Sequence, residues 1–439
     1  MIDIQERKVP MRQIPILICI DVEPDERAFD PHHNTAWNGF PASYELFSRF
    51  RESLQRITDA PVHFSWFLKM DPQIATTHGT AAWVAEHYRD LVQKLESAGD
   101  HLGLHVHPWR WDERAHIWIE DYADPAWVQE CVHVGVSAFK PALDRPCRSF
   151  RFGDRWMNNA AMAYLERLGI DFDLTIEPGQ KGNAIPESFR GDFPDATDVP
   201  LKPYHPSRAD FTKPGTGDGF NLWCIPVSSG SIYSPRVISE RHLASTTFAI
   251  GRRQKTITGT LTASPNPILV AGLADPGVTT LNWWADGTEN VQVRVNAPDG
   301  PLFAEGGSAG SLATGKWVTN GMVFYLQDVS GGLSLTRANT LATTRVYVTV
   351  GEACAPAGRE GEAYMTLNLA FNSLVFVRIM DHLIDTLEEP YLAIVMRTDT
   401  AIQTDQRWNL DQTLDYLAQH PWVERFAFET PPEMIRRFK

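Results

Sequence analysis

The chain has 439 residues, enough for two domains, and its 43% hydrophobic and 21% charged residues are typical of a globular protein. A formal net charge of −14 argues against a nucleic-acid partner, because no strongly basic segment offsets it. No segment approaches the roughly 18 consecutive apolar residues of a membrane span. The polar N-terminus has no secretion-signal core, and the 5 scattered cysteines form neither a zinc nor a disulfide pattern. We therefore expect a cytoplasmic protein.

Residues 1–257 alternate short apolar runs with amphipathic stretches, which is the rhythm of a parallel β-sheet with connecting helices. Strands are predicted at Ile16–Ile20, Val62–Leu68, His101–His107, Ser149–Phe152, Asp171–Ile176 and Leu222–Val227. Helices are predicted from a cap at Ser43 to about Thr58, over Trp83–Ala98 before Gly99, and over Ala160–Leu168 after a cap at Asn158. The pattern indicates either a (β/α) barrel or an open, doubly wound sheet.

Residues 258–350 differ in composition, since Gly, Thr, Ser and Val dominate there and helix-forming residues become rare. Strands separated by turn signals are predicted at Thr279–Trp284, Val291–Val295, Gly321–Leu326 and Thr344–Val350. This segment therefore predicts an inserted immunoglobulin-like β-sandwich of about 90 residues. We expect it to act as an accessory module, in binding or in forming a homo-oligomer.

The α/β pattern returns in residues 351–439. Strands are predicted at Tyr391–Met396 and Phe426–Phe428, and a helix is predicted from a capping-box-like start at Asn409 to about Gln419. The predicted barrel therefore comprises residues 1–257 and 351–439.

Two carboxylates, Asp21 and Glu23, follow the first predicted strand. Side chains two residues apart on a strand share a face, and barrels place active sites at the C-terminal ends of parallel strands. Two like charges at that place usually indicate a compensating cation or arginine. The alternative is that both carboxylates cap the loop that follows them, Pro24-Asp25-Glu26.

Two histidines, His105 and His107, share a face of the third predicted strand, which ends at Pro108. Neutral imidazoles and a carboxylate are the ligands of a catalytic zinc-type site, with one position open for water. A single histidine on an apolar face is more often a core residue, but two at this spacing favour metal binding. His101, four residues before His105, is either a reserve ligand or a core histidine.

Arg151 lies at the end of the fourth predicted strand. An arginine at this place can pair with a strand-end carboxylate and hold it ionised and oriented. The alternative is a surface ion pair, and Asp154 and Arg155 fit either role.

Aromatic side chains are frequent around these motifs. Four tryptophans lie within or just after the motif strands: Trp66, Trp109, Trp111 and Trp156. Sugar rings stack on such faces, although core packing is at least as common a role. In the predicted sandwich, strand alternation places one of Trp283 and Trp284 inside and the other outside.

The order of the motifs, Asp-x-Glu, Gly-x-x-x-Gly-x-His-x-His-Pro and Phe-Arg-x-Gly, resembles that of the polysaccharide deacetylase family (the NodB-homology domain, carbohydrate esterase family 4). The resemblance covers most of residues 14–228 and 360–435. It implies a distorted, incomplete (β/α) barrel and a divalent metal ion, of which zinc is the first expectation. It also implies N-deacetylation of an amino sugar in a polysaccharide, a glycolipid or a sugar precursor.

By this resemblance, Asp21 matches the general base and Glu23 the carboxylate ligand of the metal ion, which is normally an aspartate. His105 matches the first metal-binding histidine, and Arg151 matches the arginine that orients the base. The second histidine of the family usually lies four residues after the first, where this chain has Trp109. His107 replaces it as the predicted ligand, because its side chain shares a strand face with His105.

The late strand departs further from the family pattern. It usually ends in Leu-x-His, whose histidine is the general acid, whereas this chain continues with Arg397 and Asp399. These two residues are expected to stabilise the oxyanion or contact the substrate, since arginine cannot donate a proton at working pH. His205, on a predicted loop, is a candidate replacement for the acid, and with Trp109 and Trp156 it is expected to contact the sugar.

These observations favour a hydrolase in which a metal-activated water attacks an acetamide and Asp21 takes the water's proton. Two alternatives stay open. One is a different amide or C–N hydrolase on the same barrel, because a fold does not determine a substrate. The other is a glycan-binding protein that has kept the barrel and lost catalysis.

Overall fold

The computed structural model describes residues 13–29, 31–32, 35–180, 189–217, 219–232, 246–247, 258–264, 266, 268–270, 276–288, 290–319, 322–336, 339–346, 348–350, 363–370, 372–420 and 422–438. The chain divides into two compact units, Met1–Ile232 with Ala363–Lys439, and Tyr233–Glu362. Within the described ranges, no helix is long and apolar enough to cross a membrane.

The secondary structure follows in chain order. The strands are β1 (Ile14–Val22), β2 (Ser65–Lys69), β3 (His101–Val106), β4 (Trp109–Asp112), β5 (Ile117–Asp121), β6 (Ser149–Phe152), β7 (Phe172–Asp173), β8 (Phe189–Arg190), β9 (Trp223–Cys224), β10 (Ser229–Ile232), β11 (Thr246–Thr247), β12 (Thr258–Ser264), β13 (Ile268–Val270), β14 (Thr280–Asp286), β15 (Val291–Val295), β16 (Leu302–Gly306), β17 (Ala309–Ala313), β18 (Met322–Asp328), β19 (Thr340–Val346), β20 (Val348–Val350), β21 (Ala363–Thr366), β22 (Leu392–Arg397) and β23 (Phe426–Phe428). The helices are α1 (Gly39–Thr58), α2 (Pro72–His78), α3 (Trp83–His87), α4 (Arg89–Ser97), α5 (Pro125–Leu143), α6 (Asn159–Arg167), α7 (Ser373–Thr386), α8 (Thr404–Gln419) and α9 (Pro431–Ile435).

A curled parallel sheet organises the first unit. Its strand order is β22-β1-β2-β3-β6-β7-β9, and β23 also pairs with β1. All of these pairings are parallel. The path ends at β22 and β9 without closing, so the prediction of an incomplete (β/α) barrel is confirmed.

The first strand shows how the sequence places the site. Every residue of β1 is buried, as expected for a strand covered on both faces. Its even-numbered residues, such as Ile18 and Ile20, join the large core that also includes buried residues of the surrounding helices. Leu17 and Cys19 instead belong to a smaller cluster with residues of neighbouring strands. Asp21 continues this odd-numbered series, so the period of two directs it to the inner face.

Two predicted helix starts are wrong, and tertiary contacts explain both. Helix α1 begins at Gly39, and Ser43 lies inside it, where its buried hydroxyl donates to the carbonyl of Thr398 at 3.2 Å. Helix α8 begins at Thr404, and the side chain of Asn409 accepts from the backbone N–H of Ser373 at 3.1 Å. A polar residue that makes a contact within the fold therefore imitates a cap in the sequence.

Other boundaries also shift. The predicted helix Trp83–Ala98 is divided into α3 and α4 at Tyr88, whereas Gly99 has the expected left-handed conformation with a φ of 80°. The side chain of Asn158 does cap α6, since it accepts from the N–H of Ala161 at 2.8 Å. Helices α5 and α7 have no counterpart in the sequence prediction.

The second unit is built from β-sheets. A five-stranded sheet has the order β11-β19-β18-β15-β16, and a three-stranded sheet has the order β12-β14-β17. Both sheets contribute side chains to one hydrophobic core, among them Leu281 and Phe324. Trp283 is buried in this core and Trp284 is 50% exposed, as strand alternation predicts. The unit extends beyond the predicted residues 258–350, because β11 pairs with β19, and its immunoglobulin-like type stays a prediction.

Candidate active site

Strand register brings polar side chains to one edge of the parallel sheet. Asp21, near the end of β1, lies opposite Arg397 of β22. His105 of β3 lies between Lys69 of β2 and Arg151 of β6. Parallel strands end at the same edge, so these residues lie where (β/α) barrels place active sites.

Glu23, His105 and His107 form a buried group whose ligand atoms all lie within 4.8 Å of one another. Nε2 of His105 is 3.4 Å from Oε1 of Glu23, and Nε2 of His107 is 3.4 Å from Oε2 of Glu23. The two Nε2 atoms are 3.0 Å apart. Two ligands bound to a tetrahedral zinc-type ion are separated by about 3.3 Å, so these spacings suit such an ion.

The remaining ring nitrogens determine which atom of each histidine carries hydrogen. Nδ1 of His105 is 3.2 Å from the carbonyl oxygen of Arg151, and Nδ1 of His107 is 2.9 Å from Oδ2 of Asp154. Both partners are acceptors, so each Nδ1 is the donor, and a neutral ring keeps a lone pair on Nε2. Two Nε2 lone pairs this close repel each other unless a proton or a metal ion lies between them.

The site contains features that favour a proton between the two Nε2 atoms and features that favour a metal ion there. Burial lowers the pKa of His107, but the charges of Asp154 and Glu23 and the hydrogen bond to Asp154 together raise it, which favours a proton. The buried Oε2 of Glu23 accepts no hydrogen bond from the described residues, which favours a metal ion as its partner. The donor set is two imidazoles and a carboxylate, the combination found in catalytic zinc sites. The residues present therefore fit a divalent ion, which would compete with a proton.

Two cations lie beside this group. The fully buried Lys69 has its Nζ 3.7 Å from Oε2 of Glu23 and 3.9 Å from Oδ2 of Asp71. Nε of Arg27 is 3.4 Å from the same oxygen of Glu23. Burial raises the pKa of Glu23, but Arg27, His107 and Lys69 hold it well below its usual range. Glu23 is therefore ionised, as a metal ligand must be.

The turn after β6 is shaped around His107. A Cβ atom on Gly153 would lie 1.7 Å from Cε1 of His107, so only glycine leaves room for the ring. Asp154 and Arg155 follow with φ values of 58° and 52°. This left-handed conformation costs a non-glycine residue about 1 kcal/mol or more, and it persists where the surrounding structure enforces it.

Asp154 is the acceptor at the centre of a buried network. Its carboxylate accepts hydrogen bonds from four side chains at 2.9–3.1 Å: His107, Arg27, Trp109 and Tyr122. Burial raises the pKa of Asp154, but His107 and Arg27 hold it well below its usual range. An ionised carboxylate at this place fixes the orientation and tautomer of His107.

Asp21 is held by Arg151. Nε of Arg151 donates to both carboxylate oxygens of Asp21, at 3.1 and 3.0 Å, and its Nη1 donates to the carbonyl of Leu174 at 2.6 Å. Burial lowers the pKa of Arg151, but the charges of Asp21 and Glu177 outweigh it and raise the pKa. Asp21 is 3.7 Å from Nδ1 of His105, so the predicted base and the predicted ligands lie side by side.

Asp21, Glu23, His105, His107 and Arg151 line a cavity of about 420 Å³, which is within the usual range for a small-molecule site. Arg397 also lines it, and its Nη2 donates to Asp399 at 2.9 Å. Asp399 is 2% exposed and does not line the cavity, and burial raises the pKa of its carboxyl. The structure therefore brings Arg397, but not Asp399, to the cavity.

Four other sequence candidates are not among the described residues that line the cavity. Trp109 is buried beneath Lys69 and Arg27, whose charged groups lie 4.5 and 4.9 Å from its ring centroid. Trp156 is buried with its ring 4.8 Å from that of Tyr122. Neither indole offers a free face to a sugar.

The remaining two are histidines. Nδ1 of His205 lies 3.1 Å from the carbonyl of Leu222, and its ring packs 4.0 Å from Trp223, outside the cavity lining. His101 is 2.6 Å from the hydroxyl of Ser149, and burial lowers its pKa to about 4. It lies outside the metal-ligand group, so the core-histidine alternative describes it.

Sequence reasoning missed Lys69, Arg27 and Glu177. A signal existed for Lys69, because it shares strand parity with Phe67, which belongs to the inner cluster. A signal also existed for Glu177, which directly follows the predicted strand Asp171–Ile176. Arg27 lies in a loop, and no periodicity predicts where a loop side chain will point.

Comparisons with known proteins add little to this site. No protein-family model matches the chain, and no curated protein matches it. Among solved structures it is similar to a CE4 family pseudoenzyme from Bacillus anthracis, at 12% identity and a TM-score of 0.23 over 37% of this chain and 42% of that one. A candidate glycoside hydrolase/deacetylase from Parabacteroides distasonis aligns at 11% identity and a TM-score of 0.42 over 97% and 71%. A family 4 carbohydrate esterase from Streptomyces lividans, in complex with acetate, aligns at 12% identity and a TM-score of 0.21 over 37% and 62%.

The aligned region spans less than half of the length of the pseudoenzyme. With identities of 11–12% and TM-scores below 0.5, these similarities say nothing about the chemistry of this chain.

Proposed function

We propose that the protein is a metal-dependent hydrolase that removes the N-acetyl group from an amino sugar. The observation that carries the proposal is the convergence of Glu23, His105 and His107 beside the Asp21–Arg151 pair. A ligand set with an adjacent oriented carboxylate is what metal-assisted amide hydrolysis requires. The motif resemblance to polysaccharide deacetylases adds the amino-sugar substrate, and zinc is the ion expected first.

Glu23, His105 and His107 would hold the ion, which supplies a Lewis acid for the acetamide carbonyl and lowers the pKa of a bound water. Asp21 accepts the proton of the attacking water. Arg151 keeps both oxygens of Asp21 in place. Arg397 lies on the same cavity wall and contributes a positive charge near the developing oxyanion.

Glu177 is our candidate for the group that protonates the departing amine. The other carboxylates of the described cavity lining have roles, since Asp21 is the base, Glu23 a ligand and Asp154 an acceptor of four hydrogen bonds. Among the described residues, Glu177 has one hydrogen-bond partner, the hydroxyl of Thr366, which donates at 2.5 Å. A carboxylic acid can donate a proton, which Arg397 cannot.

The test combines metal binding with acetate release. We expect the purified protein to bind one divalent ion per chain, to gain thermal stability from it, and to release acetate from N-acetylated sugars. Asp21→Asn should keep the metal and lose about 10²-fold or more in rate. Asp385→Asn, at an exposed position on α7, is the matched control and should behave as wild type.

Each negative result has a defined meaning. No metal binding would exclude the enzyme and favour a glycan-binding protein, whereas metal binding with an unaffected Asp21→Asn rate would exclude Asp21 as the base. Release of acyl groups from other amides, but not from sugars, would favour a different amide hydrolase on this barrel. A cytoplasmic location and a homo-oligomer formed through the second unit stay predictions.

A further inference from the structure

The arginines around the cavity differ in how their charges are balanced. Four arginines belong to the described lining: Arg27, Arg151, Arg155 and Arg397. Three of them contact carboxylates at 2.9–3.1 Å, Arg27 with Asp154, Arg151 with Asp21 and Arg397 with Asp399. Among the residues that the structure describes, no carboxylate lies within ion-pair distance of Arg155. Within the described lining, the charge of Arg155 is therefore the one without a carboxylate partner.

Arg155 is nevertheless held firmly in place. Its Nη1 donates to the side-chain oxygen of Gln180 at 2.5 Å, and its guanidinium lies 5.3 Å from the ring centroid of Phe193. Both partners are neutral. Its backbone also has a φ of 52°, directly after the left-handed Asp154. A strained backbone and two orienting contacts fix the guanidinium in place, and neither contact is with an anion.

A partly buried cation that lines a cavity and has no carboxylate partner among the described residues is suited to an anion brought by the ligand. A guanidinium pairs with carboxylate or phosphate through parallel hydrogen bonds. We propose that Arg155 binds an acidic group of the substrate. Resting on the proposed function, the substrate class is then an acetamido sugar that carries a carboxylate or a phosphate, rather than a neutral amino sugar.

The carboxylate of Glu177, in the same cavity lining, is consistent with this assignment. Glu177 is the lining carboxylate that has no arginine or lysine within ion-pair distance among the described residues, and its hydrogen bond comes from the neutral Thr366. Removal of an acetyl group from an acidic amino sugar gives a product with one ammonium and one anionic group. Arg155 would pair with the anionic group of this product, and Glu177 would pair with its ammonium group.

The test measures binding without hydrolysis, by calorimetry on protein stripped of metal, so that an acid cannot bind through the ion. The probes are D-glucose, D-glucuronate and UDP, none of which carries an acetamide. We expect glucuronate or UDP to bind at least about 30-fold more tightly than glucose. Tighter binding of glucuronate would indicate a carboxylate substituent on the substrate, and tighter binding of UDP would indicate a phosphate.

Variants assign the effect to Arg155. Arg155→Gln should reduce the affinity for the acidic probe to that for glucose, and Arg155→Lys should retain part of it. Arg208→Gln, at an arginine that pairs with Glu166 outside the cavity, should leave the acidic probe unaffected. Equal binding of neutral and acidic probes, or an Arg155→Gln variant that still prefers the acid, would overturn the proposal.

Hydrolysis provides a separate readout. With N-acetylglucosamine, an N-acetylated aminouronic acid and UDP-N-acetylglucosamine as substrates, the wild type should prefer an acidic sugar, and Arg155→Gln should remove that preference. If no acetamido sugar is hydrolysed, the proposed function fails while the binding experiment still decides the role of Arg155. If only the neutral sugar is hydrolysed, the role of Arg155 fails and the proposed function stands.

Discussion

The contact between Asp154 and His107 makes the most direct prediction. In Asp154→Asn the side chain keeps its shape, but an NH2 donor replaces one of the two acceptor oxygens. It can therefore no longer accept hydrogen bonds from all four of its partners, His107, Arg27, Trp109 and Tyr122. His107 then loses the charge that holds its Nδ1 hydrogen in place at 2.9 Å. A hydrogen bond to a charged group contributes roughly 1.5–3 kcal/mol.

At about 1.4 kcal/mol per factor of ten, this contribution corresponds to a roughly 10- to 150-fold loss of metal affinity. The estimate agrees with the roughly 10- to 100-fold effect usual for partners of metal-binding histidines. The assay is competition for Zn²⁺ against a chromophoric chelator at fixed pH. The melting temperature of the metal-free variant shows whether the fold is retained.

Tyr122→Phe is the matched control, because it removes one neutral donor to the same carboxylate, at 3.0 Å, and leaves the contact with His107 intact. It should change the metal affinity by much less than Asp154→Asn. An Asp154→Asn variant that folds and still binds Zn²⁺ within about threefold of wild type would show that Asp154 does not set the orientation of His107.

Two further predictions follow from other groups. Gly153→Ala places a Cβ 1.7 Å from Cε1 of His107, so the ring must move and chelator competition should show the loss of high-affinity Zn²⁺ binding. Gly79→Ala, at a φ of 80° and with no atom within 4 Å of its added Cβ, strains the backbone away from the site and should bind Zn²⁺ normally. Burial raises the pKa of Asp173 to about 7, so its contribution to stability is complete below its unfolded pKa of about 3.9 and is lost as the pH rises through 7. Between pH 4 and pH 8 the free energy of unfolding, measured with denaturant, should therefore fall less for Asp173→Asn than for wild type. Parallel pH profiles of the two proteins would contradict a raised pKa of Asp173.

The inner face of the barrel follows from a local rule. The alternation of Leu17, Cys19 and Asp21 along one buried strand directs them to the same side, and the sequence is sufficient to predict this. The same rule applies to β2, where it places Lys69 on the face of Phe67. The loop side chain of Arg27 follows no such rule, because its position depends on where Glu23 and Asp154 are brought together by strands far apart in the chain.

The roles of polar residues are less determined by the local sequence than those of apolar residues. Ser43 and Asn409 have the chemistry of helix caps, yet each makes its hydrogen bond with a distant segment. Trp156 has the chemistry of a sugar-stacking surface, yet it packs against Tyr122. In each case one local pattern fits both a local role and a tertiary role, and only the packing of the whole unit decides between them.

The spacing of the two histidines departs from the motif that the sequence resembles, and the turn after β6 has a conformation that fits the departure. The family that the motifs resemble has its second histidine four residues after the first, whereas in this chain Trp109 at that position is buried and donates to Asp154 at 3.1 Å. His107 is only two residues from His105, so its ring must approach the turn after β6 closely. The absence of a Cβ at Gly153 allows that approach, and the neighbouring Asp154 fixes the ring that enters. The short spacing and this turn therefore depend on each other, and a chain with His-x-His but a larger residue at the glycine position should not form the site.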